Sequence, residues 1–229
     1  AGRAKFMSDM QSAITEATGA LVFFSLEINR IDDDALTAML TQSPELNRYA
    51  PVLRRLRAMR PHQLSDELEQ FLHDQSVVGA SAWNKLFDET MAGLIFTVDG
   101  EEMSLEATLN LMSDPDRARR EAGAKALISV FADNLPLFAR ITNTLAKEKE
   151  IDDRWRKLDT PQAFRHLSNQ VEPEVVQALR DAVVNAYPNL SHRYYKLKAK
   201  WLGLDTMQHW DRNAPLPTAD NDPIQWADA

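Results

Sequence analysis

The sequence predicts a mainly α fold: a multi-helix array of antiparallel helices with one short β-hairpin near 95–105. Three observations predict it. Apolar residues recur at three- and four-residue intervals along most of the chain, the period of an amphipathic helix. The 7 Gly and 11 Pro of the 229 residues fall mostly between these periodic segments. Asp99-Gly100 stands between two short runs, where a type I′ turn needs two residues at positive φ.

Lys5–Ile31 reads as one long helix, with Phe6, Met10, Ile14, Leu21, Phe24 and Ile28 on one stripe. Asp32–Asp34 is an acidic entry to a second helix over Ala35–Gln42, since carboxylates favour a helix start. Pro44 opens a third helix carrying Leu46, Tyr49, Leu53 and Leu56, and Pro61 stops it. A fourth follows Ser65, with Leu68, Phe71 and Leu72 on its apolar face. Val77–Ser81 is a break, and Trp83, Leu86, Phe87, Met91 and Leu94 mark the next helix.

The period then changes over Ile95–Leu105, where the ribbon turns at Asp99-Gly100 and must lean on helices to persist. Ser113-Asp114-Pro115-Asp116 predicts a helix start with Ser113 as N-cap. Leu127, Val130 and Phe131 continue past Asn134 into Leu135, Phe138, Ile141 and Leu145, and Pro136 kinks or splits that run. Thr160-Pro161 and Glu172-Pro173 each start a further helix. The last helix, Leu190–Leu202, ends at Gly203, the usual C′ residue. After Asp211, including Asp220-Asn221-Asp222-Pro223, the chain reads as loop.

With 44% hydrophobic and 26% charged residues, the chain can bury one large core or two smaller ones. The division expected is 1–94, an N-terminal helical lobe, and 95–229, the hairpin plus a helical lobe ending in an irregular tail. A net charge of -8 disfavours a dedicated nucleic-acid binder, so no nucleic-acid partner is expected. Absence of Cys excludes disulfides, thiolate catalysis and Cys-ligated metal. The longest apolar run, Ala20–Phe24, is far short of the roughly 20 residues that span a bilayer, and no membrane partner is expected. No signal peptide is visible, and the expected location is cytoplasmic. The opening Ala-Gly-Arg without Met fits an excised segment or a processed terminus.

The five His are His62, His73, His166, His192 and His209, and no two stand at i and i+4, so no helix offers a His-Glu-x-x-His pair. No catalytic residue and no metal ligand is assigned. Arg54, Arg55, Arg57 and Arg60 crowd one helix end and read first as cations complementing a negative helix terminus, second as an anion site. In His192–Trp201, Tyr194, Leu197 and Trp201 share one face and Arg193, Lys196 and Lys200 another, which is an amphipathic helix with a solvated basic side. Trp155, between Arg154 and Arg156, reads as a core anchor for a helix end, or as the wall of a groove.

Several stretches resemble one family in a shared order. They are Phe23-Phe24-Ser-Leu-Glu-Ile-Asn29, Arg60-Pro61-His62-x-Leu64-Ser65, Gly79–Phe87, the Arg-x-x-Arg helix of Arg117–Ala126, and Tyr195–Lys200 leading into Leu202-Gly203-Leu204. The tail Trp210-Asp211-Arg-Asn-Ala214-Pro215 closes the series. This pattern resembles the oligoendopeptidase F-like zinc metallopeptidases, relatives of thimet oligopeptidase. The resemblance implies a helical two-lobed protein closing over a deep channel that admits short peptides. It implies zinc for the full-length protein, held by a His-Glu-x-x-His helix and a distant Glu, with none of those positions present here. The role implied for this chain is the non-catalytic wall and roof of the channel, itself inactive and without a cofactor. The candidates for substrate contact are His209, Trp210 and Asp211. The alternative is a free-standing helical protein-interaction module. Apolar faces exposed by truncation would make the chain a homo-oligomer.

Overall fold

The computed structural model describes residues 2–217, and the acidic segment from Asp220 lies outside the described residues. The architecture is mainly α. Its elements run α1 (Gly2–Gly19), α2 (Val22–Arg30), α3 (Asp33–Gln42), α4 (Pro44–Asn47), α5 (Ala50–Arg57), α6 (Asp66–Gln75) and α7 (Ala80–Gly93). The hairpin β1 (Phe96–Val98) and β2 (Glu101–Met103) follows, then α8 (Leu105–Asn110), α9 (Arg117–Asp133) and α10 (Leu135–Trp155). The chain closes with α11 (Ala163–Asn169), α12 (Pro173–Ala186) and α13 (Ser191–Trp201). Contacts divide it into two units. One takes the residues up to Phe87 and Ala139–Ala178; the other takes Asp88–Phe138 and the chain from Leu179 onward.

In the first unit, α1 and α2 both pack on α6, and α2 also packs on α5. The single helix expected over Lys5–Ile31 is broken at Ala20-Leu21. The break follows Gly19, where a Cβ would stand 3.2 Å from Gln70 Nε2 and 3.4 Å from the His73 ring. A residue without Cβ allows α1 to approach α6 closely, and it is also a poor helix former. The third expected helix is likewise split, into α4 and α5. Pro51 has no N–H to give the Asn47 carbonyl, so the continuous ladder stops there and restarts with Pro51 in the first turn of α5. Ser65 caps α6 as expected, accepting from Leu68 N at 3.4 Å.

In the second unit the hairpin pairs Phe96 with Met103, Thr97 with Glu102 and Val98 with Glu101. Asp99 and Gly100 both have positive φ, 52° and 86°, as a type I′ turn requires. Phe96 is fully buried, its ring meeting Phe131 of α9 edge-on at 5.7 Å. Ser113, expected to cap α9, does not. Pro115 forces Asp114 into extended backbone (φ -64°, ψ 139°), so the helix begins only after it. Asp116 then caps it, accepting from Ala118 N at 2.9 Å. The short α8 goes beyond the elements expected from sequence; Ser104 caps it, accepting from Ala107 N at 3.3 Å. Pro136 does separate α9 from α10, and Gly203 has φ 66° just past α13.

Candidate functional site

The tail residues named from the sequence fold as one 3₁₀ turn, His209–Asp211, in the second unit. Arg117 and Arg120, three residues apart on the first turn of α9, face it together. Arg117 grips the Asp211 carboxylate in a fork, Nε at 3.0 Å from Oδ1 and Nη2 at 2.9 Å from Oδ2. Arg120 Nη2 donates to Oδ1 at 3.1 Å, and the Gln208 amide donates to Oδ2 at 2.9 Å. The remaining Arg120 donors reach the carbonyls of Trp210, Asp114 and Pro115. Asp211 is 0% and Arg120 3% exposed. Burial raises the Asp211 carboxyl, but Arg117, the Gln208 amide and Arg120 outweigh it and hold it at about 2. Lys198 Nζ, buried beside them, donates to the Arg212 carbonyl at 2.7 Å, and its desolvation pushes its pKa down.

Asp211 therefore turns inward and ties the tail to α9. Its two neighbours do not follow. His209 is exposed, its ring edge-on to Trp210 at 4.8 Å. Trp210 is half-buried, and its indole N–H is buried with no acceptor among the described residues. Two family-like pieces of sequence, the Arg-x-x-Arg helix and the Asp-x-x-Ala-Pro tail, thus meet in one ion-pair knot.

The first unit holds the larger concavity, a groove of about 1100 Å³ between α6 and α10. Leu68, Phe71 and Leu72 line it from α6, and Ile151 and Trp155 from α10. These lie at i, i+3 and i+4 spacings, so each helix turns one apolar stripe inward. Trp155, expected to be a core anchor, is 56% exposed and forms part of the wall. Arg140, Thr144 and Lys147 continue the α10 stripe toward the helix start.

Every acid lining the groove is engaged. Arg156 holds Glu69 in a fork at 2.7 and 3.0 Å and donates to Asp152 at 2.8 Å. Burial works to raise the Glu69 carboxyl, but the Arg156 hydrogen bonds, the Leu64 amide and the Arg156 charge keep it below its ordinary value. Glu148 accepts from the Ala80 amide at 3.0 Å and caps the start of α7. Lys147 pairs with Glu150 at 2.5 Å outside the groove. Arg140 is exposed and has no hydrogen-bond or ion-pair partner among the described residues.

Two members of the other arginine cluster, Arg57 and Arg60, make structural contacts. Arg57 donates to the Ile28 carbonyl at 2.7 Å, in the last turn of α2, and pairs with Asp33. Arg60 reaches the same Asp33 at 3.1 Å. This is the helix-terminus reading, with the cation serving a neighbouring helix rather than its own.

The histidines are dispersed. His62 Nδ1 donates to the Arg156 carbonyl at 2.8 Å, His73 Nε2 donates to the Thr15 carbonyl at 2.9 Å, and His192 lies against Tyr187. Among the described residues no three His, Asp or Glu converge to hold a metal. The donor set present does not fit the zinc that the resemblance implies, and no chemical step is assigned to a metal here.

Comparison with known proteins agrees with the order of motifs. A family described as Oligopeptidase F matches residues 27–96. Group B oligopeptidase PepB of Streptococcus agalactiae is 26% identical over 204 residues, 86% of this chain and 34% of that protein. Oligopeptidase PepF of Bacillus subtilis is 26% identical over 208 residues, 88% of this chain and 31% of that protein. The crystal structure of oligoendopeptidase-F from Enterococcus faecium superposes with a TM-score of 0.78 at 25% identity, covering 89% of this chain and 41% of that one. The chain spans about a third of the length of these curated relatives.

Proposed function

The chain is oligoendopeptidase F-like in sequence and fold, and on that premise we propose that it forms the helical, non-catalytic wall and roof of a zinc-dependent oligopeptidase acting on short peptides. The observation that carries this reading is the fold match, which runs along nearly the whole chain rather than one motif. In this reading zinc and the groups that activate water belong to polypeptide outside these residues. In this reading His209 and Trp210 would contact the peptide, and Asp211, held by Arg117, fixes the turn that carries them. Among the described residues no helix is long and apolar enough to cross a membrane. We infer a cytoplasmic peptidase.

The test compares two polypeptides on an internally quenched fluorogenic peptide. This chain alone should bind no stoichiometric zinc and cleave nothing. The product of the complete reading frame should cleave the peptide, lose activity to a chelator and regain it with zinc. Chelator-insensitive cleavage, or turnover by this chain alone, overturns the reading.

A further inference from the structure

We propose that the cavity between α3 and α5 binds a phosphate monoester of a small, mainly apolar group, with the phosphate at Arg54 and Arg57. The site belongs to the first unit and stands apart from the peptidase reading, because its test reads binding and not hydrolysis.

The sequence pattern sets two cations side by side. Arg54 and Arg57 are three residues apart on α5, so they share one face of the helix. Both line a cavity of about 680 Å³, inside the range of about 300–1,000 Å³ for small-molecule sites. Their states differ. The Arg57 side chain is 9% exposed and held in place, because Nη1 donates to the Ile28 carbonyl at 2.7 Å and Nη2 pairs with Asp33. These bonds engage two of its five N–H groups, and the others have no acceptor among the described residues. Arg54 is exposed and has no hydrogen-bond or ion-pair partner among the described residues. A fixed guanidinium with idle donors, beside a free one, is an arrangement ready for an anion.

The charge count has a sign. Asp33 is the acid of the lining, set against Arg54 and Arg57, and it is shared with Arg60. The lining therefore keeps one positive charge, and Arg60 raises the set to two. Over the whole segment from Asp32 to Arg60 five Arg stand against four acids, in a chain whose net charge is -8. Asp32 is occupied in accepting from the Asp34 amide at 2.9 Å, and Glu45 accepts from the Ser43 hydroxyl at 3.2 Å. Neither these two nor Asp34 lines the cavity.

The geometry of the anion follows. A carboxylate has two oxygens and is matched by one guanidinium fork. A phosphate monoester has three terminal oxygens and about -1.5 to -2 charges near neutral pH, so it serves Arg54 and Arg57 together. Leu36, Leu40 and Pro44 supply the apolar part of the lining, which suits a compact apolar body on the ester.

The probe is phenyl phosphate. Calorimetric titration into this chain, near neutral pH and at low salt, should show one saturable site, with affinity falling as salt rises. Inorganic phosphate lacks the apolar body, and benzoate has a carboxylate in place of the phosphate; each should bind at least about fivefold more weakly. Arg54→Gln should weaken phenyl phosphate about tenfold, the loss of one charge-assisted contact. Thr41→Glu adds a carboxylate to the lining and should abolish binding. Arg54 and Thr41 are both exposed, so neither change threatens folding, and unchanged helix content by circular dichroism checks this. Arg193→Gln removes an exposed cation on α13 and should leave the affinity as it was.

Unchanged affinity in Arg54→Gln, or an equal loss in Arg193→Gln, would mean that diffuse charge holds the anion, and overturns the proposal. Benzoate or inorganic phosphate binding as tightly as phenyl phosphate overturns it too, as does absence of saturable binding.

Discussion

Removing the Asp211 carboxylate strands Arg120, which is 3% exposed and gives one of its donors to that group. Breaking a buried pair from one side costs roughly 3–5 kcal/mol, because the surviving charge is left without a partner. Asp211→Ala should destabilise the second unit by about 3 kcal/mol, measured by hydrogen exchange of the α9 amides. Arg120→Leu should cost more than Arg117→Leu, since the Arg117 side chain is 43% exposed and can rehydrate. The pH dependence has a definite sign. The carboxyl sits at about 2 in the folded chain and near 3.9 when unfolded. Its contribution is complete above the unfolded value and is lost as pH falls from about 4 through 2. Thermal unfolding across that window should show a steeper acid loss for the parent than for Asp211→Asn. Each half of this knot was legible separately: Arg117 and Arg120 at helical spacing, Asp211 in a family-like tail. Their pairing across 94 residues leaves no trace in periodicity, so Asp211 read as a contact for something external.

At the scale of elements, the sequence pattern located most helices and misplaced their ends. The hairpin was legible because Asp-Gly specifies a turn by sterics alone. The break after Gly19 was not, because its cause is the approach of α6, a tertiary fact. The groove was half legible: the stripes of α6 and α10 are plain in the sequence, but periodicity does not say whether a stripe faces a neighbour or a gap. Two substitutions test the local account. Asp116→Ala removes the α9 cap and should cost about 1 kcal/mol, read as a lower unfolding midpoint. At Gly123, a Cβ would lie 3.1 Å from Leu111 Cβ and 3.2 Å from its Cδ1. The α9 backbone is thus seated against the 3₁₀ turn Leu111–Ser113 with no room for a side chain. Gly123→Val should destabilise by about 2 kcal/mol through overpacking, and Leu111→Ala should recover part of that loss.

The whole molecule is sparsely cored for its length. Phe96 is the large apolar side chain brought below 2% exposure among the described residues, while Val78, Leu179 and Leu190 remain at least 65% exposed. Along α12, Val175, Leu179 and Val183 follow one stripe at four-residue steps and stay open to solvent. Soluble chains seldom leave contiguous apolar area uncovered, because each exposed square ångström forgoes roughly 25 cal/mol of burial. The relatives that this chain matches are about three times as long, so a covering surface from further polypeptide is one outlet for these faces. Isolated, the chain has only itself to use. It should therefore self-associate, with the sedimentation coefficient rising with concentration. Leu179→Glu places a charge in the middle of the α12 stripe and should shift the equilibrium toward monomer without lowering helix content. A strictly monomeric profile at high concentration would show that these exposed side chains are too scattered to act as a patch.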